Sequence, residues 1–94
     1  MEKTDHKNLA IQLFNQTWDL IDQKSRTPEE NDRMIHAAHA SRYHWEFVGD
    51  AANLARGEWL ISRVYAVVKR LEPCLYHAGR CLKITLKDDL KDFD

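Results

Sequence analysis

Three histidines in the middle of the sequence have the side chain and the spacing of metal ligands. They are His36, His39 and His44, in a segment predicted to be helical. Positions three apart are neighbours on a helix surface, so His36 and His39 have a spacing at which two imidazoles can share an ion. His44 lies about 80° around the helix and about two turns away from His36, and no carboxylate completes a recognised ligand motif. We therefore predict that these histidines form hydrogen bonds at helix contacts, and a helical-bundle metal protein is the alternative hypothesis.

The two cysteines are candidates for a disulfide, a zinc site or a nucleophile. Cys74 and Cys81 are seven residues apart, which is about 10.5 Å along a helix and exceeds the roughly 7 Å that a disulfide spans. The same separation is too large for two thiolates on one zinc ion. Cys–His catalysis with His77 would need an orienting group and an oxyanion donor, and neither is identifiable. We predict free thiols, no cofactor and no enzymatic activity.

A line of arginines is the strongest candidate for a recognition site. Arg56, Arg63 and Arg70 recur every seven residues, so they drift by only about 20° per heptad around a helix, and Trp59 lies between the first two. Cations on either side of an aromatic ring can hold an acidic or C-terminal peptide by charge-assisted hydrogen bonds and stacking. The alternative is that Trp59 fills the core and that the arginines pair with nearby acids. Those acids are Glu46, Asp50 and Glu72.

Composition limits the fold and the class of partner. The chain has 94 residues, of which 44% are hydrophobic and 31% charged, as in an ordinary globular domain. Three glycines and two prolines are too few for a sandwich or barrel of many short strands. A formal net charge of -1 argues against a nucleic-acid binder, which needs an excess of lysine and arginine. We predict a single all-α domain over residues 1–94 whose partner is a protein or peptide.

The N-terminal residues do not have the pattern of a targeting segment. Residues 1–6 carry acids where a secretory signal has a basic end followed by an apolar run. No stretch of the sequence approaches the roughly 18 apolar residues of a membrane span. We therefore expect a cytoplasmic protein that does not contact a membrane.

Apolar residues at three- and four-residue steps predict four helices. The clearest start is at Thr27, because Pro28 then takes the first helical position and Glu30 completes a capping box. The third helix is apolar around most of its circumference and is expected to be central, although Gly57 in its interior costs about 1 kcal/mol relative to alanine. Short connections predict an antiparallel array of two helical hairpins. The predicted helices cover about residues 5–24, 28–47, 51–69 and 73–86.

Residues 61–84 resemble the tetratricopeptide pattern of paired helices. The matching positions are Ile61-Ser62, Tyr65, Cys74-Leu75 and Cys81-Leu82. The departures are Lys69 in place of the glycine between the helices, Ala78 in place of the second aromatic, and Trp59, which is displaced by one residue. Residues 38–45 and 53–67 are also similar to uncharacterised bacterial proteins of this repeat-like class.

This resemblance implies a fold and a kind of function. It implies right-handed stacking of the two hairpins and a non-catalytic protein-interaction module. Its groove would be lined by the face that carries Arg56, Trp59, Arg63 and Arg70. Relatives of this class usually continue into a further helix after a segment such as residues 92–94, which suggests a shortened form or a fragment. A fourth helix left uncovered in this way needs another molecule to bury its apolar face, so we expect a homodimer.

Overall fold

The computed structural model describes residues 1–88, and this part of the chain forms four helices and no strand. Helix α1 packs against α2, α3 packs against α4, and α2 joins the two hairpins by packing against α3. The predicted all-α array of two hairpins is confirmed. Residues 92–94, which suggested a shortened form, lie outside the described residues. The helices are α1 (Lys3–Ile21), α2 (Pro28–Val48), α3 (Ala51–Val67) and α4 (Leu71–Lys87).

The ends of α2 and α3 are set by reciprocal capping. The Thr27 hydroxyl accepts a hydrogen bond from the Glu30 amide at 3.1 Å, and the Glu30 carboxylate accepts one from the Thr27 amide at 2.9 Å. Asp50 makes the same exchange with Asn53 at the start of α3. Only Gly49 and Asp50 separate the two helices, so α2 and α3 are joined by a tight turn and lie next to each other.

Helix α1 begins earlier than the sequence predicts. Its N-cap is Glu2 and its first residue is Lys3, two residues before the predicted start at residue 5. The carboxylate of Asp5 accepts a hydrogen bond from the Glu2 amide at 3.2 Å, which is one half of a capping box. A carboxylate in the first turn also interacts favourably with the helix dipole, and this explains the earlier start.

The junction between α3 and α4 is a tight reversal around Lys69. Lys69 has a φ of 63°, and the Arg70 and Lys69 amides donate to the carbonyls of Tyr65 and Ala66 at 2.9 and 3.1 Å. These two bonds form a Schellman motif, in which the left-handed position is usually glycine. Helix α3 therefore ends at Val67 instead of residue 69, and α4 begins two residues before the predicted start at residue 73.

Helix α3 is the central helix, as predicted. It contributes eight buried residues, which is more than any other helix contributes among residues 1–88. Leu60, Ile61 and Val64 are buried against Leu20 of α1 and Met34 of α2. None of the four helices has the length and apolar character that a bilayer-spanning helix requires.

We expect Lys69→Gly to raise the free energy of unfolding by about 1 kcal/mol, because a left-handed conformation strains a residue that has a Cβ atom. Thermal unfolding followed by circular dichroism would show this as a midpoint increase of about 4–8 °C for a domain of this size. Lys69→Ala is the matched control, since it removes the same charge and keeps the Cβ atom. A gain from Lys69→Ala equal to that from Lys69→Gly would contradict the backbone explanation.

Candidate functional site

A carboxylate lies buried in the middle of α3, where it contacts two arginines and a histidine. Glu58 is 3% exposed. Its Oε2 accepts a hydrogen bond from Nε of Arg42 at 2.9 Å, and its Oε1 accepts one from Nδ1 of His77 at 2.7 Å. Nε of Arg80 lies 3.4 Å from Oε2. We call these four residues the Glu58 cluster. Because Arg42 belongs to α2 and the other two partners to α4, one carboxylate joins three helices.

The surroundings of Glu58 keep its carboxyl group charged. Burial on its own raises the pKa, but the hydrogen bond from His77 and the positive charges of Arg42 and Arg80 outweigh it, so the pKa lies below its ordinary value of 4.5. A buried ion is tolerated when it is paired and its lone pairs are satisfied. Both oxygens of Glu58 accept hydrogen bonds from protein donors, which is the arrangement of a structural ion pair.

Gly57 gives Arg42 room to reach Glu58. A Cβ atom added at Gly57 would lie 2.8 Å from Cδ of Arg42 and 3.3 Å from its Cβ, both tighter than ordinary van der Waals contact. The arginine side chain therefore crosses α3 over the surface of the glycine. The glycine that weakens α3 as an isolated helix is needed where α2 and α3 approach each other.

Two histidines and a tyrosine form a second polar contact beside the Glu58 cluster. Nε2 of His39 lies 2.8 Å from the Tyr65 hydroxyl. The His77 ring is stacked on Tyr65 with 5.9 Å between centroids, and His39 meets His77 edge-on at 5.3 Å. Burial lowers the pKa of His39, and the nearby His77 lowers it further. The neutral form of His39 is therefore favoured at this contact between α2, α3 and α4.

Three of the four residues that were predicted to form a recognition site share one side of α3. Arg56 lines a cavity of about 110 Å³ between α1, α2 and α3. Trp59 packs at the edge of the core, with its ring centroid 5.7 Å from that of Trp18, and Arg63 is exposed. One face of the helix thus carries a cation, an indole and a second cation in sequence. The alternative hypothesis, that Trp59 fills the core, is also correct in part, because its ring packs against the core.

The structure does not place Arg70, the fourth of these residues, on the same side of α3. Arg70 is the N-cap of α4, and its guanidinium lies over the ring of Tyr65 at 5.4 Å from the centroid. Tyr65 is nine residues after Arg56, which places the two on opposite sides of α3 at about 100° per residue. The heptad spacing fails here because the chain reverses at Lys69 before a further helical turn can form.

The three histidines of the alternative metal site lie apart. His36 is exposed, His39 bonds to Tyr65, and Nδ1 of His44 lies 2.9 Å from Nδ1 of His6 at the contact between α1 and α2. Within residues 1–88, no group of three or more His, Cys, Asp or Glu side chains is placed to hold a metal ion. His39 and His44 make the hydrogen bonds at helix contacts that the sequence predicts. Both cysteines are free, also as predicted.

The sequence patterns did not connect Arg42 and His77 with Glu58, although both side chains form hydrogen bonds with its carboxylate. A charged residue is rarely buried without a partner, and the partners of Glu58 are 16 and 19 positions away in the sequence. One local signal was present. Glu58 is the one acid of a helix that is apolar around most of its circumference, and it directly follows the helix-interior Gly57, so a cationic partner from a neighbouring helix is expected there.

We expect Glu58→Gln to lower the free energy of unfolding by about 2–4 kcal/mol, because it leaves the Arg42 guanidinium buried without its counter-charge. Urea denaturation at neutral pH measures the loss. Glu46→Gln is the matched control, since Glu46 also pairs with Arg42, at 3.1 Å, but its side chain is 59% exposed. That variant should change stability by less than about 0.5 kcal/mol. Equal losses in the two variants would contradict the assignment of Glu58 as the central charge.

We also expect acid to destabilise the protein through Glu58. Its pKa is lowered in the folded state, so its contribution to stability is complete above the ordinary value of 4.5 and is lost as the pH falls through the lower folded value. The groups that face it are Arg42, His77 and Arg80. Denaturation curves collected from neutral pH to below 4.5 should fall more steeply for the wild type than for Glu58→Gln. If stability falls equally steeply with pH in the two proteins, the pKa of Glu58 does not differ between the folded and unfolded states.

Comparison of the chain with protein-family models, with curated proteins and with solved structures finds no match.

Proposed function

We propose that this chain is a non-catalytic interaction module that acts as a homodimer and binds an acidic peptide segment on the face shared by α1 and α3. The observation that carries the proposal is the cavity beside Arg56. Its lining combines apolar side chains with a guanidinium and an amide, which is the composition of a peptide-binding pocket. The residues that line it are Ile11, Phe14, Trp45, Asn53, Arg56 and Gly57.

The size of the cavity suits one apolar side chain of a partner. Its volume is about 110 Å³, somewhat smaller than the roughly 150 Å³ of an engineered apolar cavity that holds a benzene molecule. Ile11 is 40% exposed at its rim, so the cavity is reached from outside the bundle. An apolar side chain that enters here would cover Phe14 and the indole of Trp45.

Arg63 lies about 10 Å further along α3 than Arg56, at 1.5 Å per residue. A peptide anchored in the cavity and lying along α3 would therefore present its next residues to Trp59 and Arg63. A carboxylate at that point can form a bidentate hydrogen bond with the exposed guanidinium. Residues 51–84 contain six basic and two acidic residues, and one of the two acids, Glu58, is buried and paired. The surface of this half of the chain consequently favours a negatively charged partner.

Two further observations support this class of protein. The hairpins α1–α2 and α3–α4, joined through α2 and α3, have the connectivity of a tetratricopeptide-like pair, for which we propose right-handed stacking. The free thiols of Cys74 and Cys81 fit the reducing cytoplasm, where we place the module.

We expect Arg63→Glu to weaken binding of an acidic probe by at least about tenfold, because the substitution replaces an attractive charge with a repulsive one. The probe is a fluorescein-labelled peptide with one leucine flanked by glutamates, and anisotropy measures its binding at low ionic strength, where screening is weak. A second peptide with glutamine at each glutamate position separates charge recognition from apolar capture.

Arg33→Glu is the matched control, since it makes the same charge change at an exposed position of α2. It should leave the affinity for the glutamate peptide nearly unchanged. The proposed site is wrong if the glutamate peptide does not bind to the wild type, or if Arg33→Glu weakens its binding as much as Arg63→Glu does. Equal affinity for both peptides would rule out recognition of charge.

A further inference from the structure

Helix α4 turns a row of leucines toward solvent. Leu71, Leu75, Leu82 and Leu86 are between 57% and 72% exposed. These side chains lie on a helix whose opposite face packs on α3 through Cys74, Cys81 and the Glu58 cluster. Solvent-exposed leucines that recur on one face of a helix mark a surface for contact with another molecule.

The exposed leucines form one continuous stripe with two small residues at its centre. At 100° per residue, the stripe covers an arc of about 100° on α4. Its six members are Leu71, Leu75, Ala78, Gly79, Leu82 and Leu86. We call these residues the α4 stripe. A Cβ atom added at Gly79 would meet nothing within 4 Å, so nothing in the described chain covers this point.

The positions of the leucines in the α4 stripe are symmetric about its centre. Its centre lies between Ala78 and Gly79, and each leucine on one side has a leucine at the same distance on the other. Two copies of α4 laid antiparallel about that centre therefore place Leu71 beside Leu86 and Leu75 beside Leu82. The small residues fall at the crossing point, where they let two helices approach closely. A stripe with this symmetry is complementary to itself.

The charges beside the stripe fit the same antiparallel arrangement. Glu72, Lys83 and Lys87 share one flank of the stripe, within about 60° of each other around α4. In the arrangement described above, Glu72 of one copy lies midway between Lys83 and Lys87 of the other, about 3 Å along the axis from the level of each. In a parallel arrangement, this flank of one copy would lie on the opposite side of the seam from the same flank of the other, so Glu72 would not meet the lysines. The flanks therefore favour antiparallel pairing.

We propose that a second copy of this chain covers the α4 stripe, with the two α4 helices antiparallel and crossing at Ala78 and Gly79. This inference rests on the homodimer proposed above and gives it a surface and a register. A cavity of about 270 Å³ lies at the N-terminal end of the stripe, lined by Leu71 and Cys74 together with Ala66, Lys69 and Arg70. In the proposed register, Leu86 of the second copy lies beside Leu71 and therefore next to this cavity.

Sedimentation velocity on the full chain in the tens-of-micromolar range tests the surface. We expect the wild type to be dimeric and Gly79→Glu to raise the dimer dissociation constant by at least about 100-fold, since a bulky charge then occupies the crossing point. Glutamate is a better helix former than glycine and meets no neighbour at this position. The variant should therefore keep its helical circular dichroism, and a loss of association cannot be attributed to misfolding.

Tyr43→Glu is the matched control, because Tyr43 is 57% exposed on α2, away from the stripe, and this variant should remain dimeric. A monomeric wild type would overturn both the homodimer and its surface. A dimer that persists in Gly79→Glu, or that Tyr43→Glu also abolishes, would overturn the surface alone. The peptide assay with Arg63→Glu measures a different face, and its outcome is independent of these results.

Oxidative cross-linking tests the register. Ala78→Cys places a thiol close to the crossing point in both copies, so it should form an intermolecular disulfide. Leu71→Cys should not cross-link to itself, because the two copies of residue 71 lie about 22 Å apart along antiparallel helices. The wild type under the same oxidant controls for Cys74 and Cys81. Cross-linking of Leu71→Cys to itself at the rate of Ala78→Cys would indicate parallel helices and overturn the proposed register.

Discussion

The arrangement of the helices depends on one buried charge. Glu58 on the central helix is ionised, and an ion in that position needs partners with opposite charge. Those partners come from α2 and α4, so the requirement fixes the distance of both helices from α3 and the rotation of α4 about its own axis. Since His77 and Arg80 must face α3, the opposite side of α4 must face outward. The exposed leucines are thus a geometric consequence of how the carboxylate is neutralised.

Much of the fold follows from local sequence signals. The capping box at Thr27 and the break between the second and third helices are short-range patterns, and the structure has both of them within one residue of where they were predicted. The α3–α4 junction was displaced by two residues because Lys69 adopts a left-handed conformation, which its residue type does not favour. Such a conformation is stabilised by backbone hydrogen bonds across the turn. The residue type at position 69 does not predict these bonds.

The site was predictable to the extent that it depends on one helix. Arg56, Trp59 and Arg63 share a face because helical spacing alone puts them there. Arg70 does not belong with them, since the spacing rule ends where the helix ends. The Glu58 cluster was not predictable in this way, because its members become neighbours only after two helices have packed against α3. Sequence periodicity describes the faces of single helices, whereas a buried ion pair is a property of the assembled bundle.

The passage of Arg42 over Gly57 has a consequence for how this sequence can change. The two positions are 15 residues apart, yet a methyl group at the second would occupy the space of the arginine side chain at the first. A larger residue at 57 requires the arginine side chain at 42 to shift or to be replaced by a shorter one, and a shorter one removes one buried partner of the acid at 58. Positions 42, 57 and 58 should therefore vary as a unit during evolution, and a relative with an aliphatic side chain at 58 should tolerate alanine at 57.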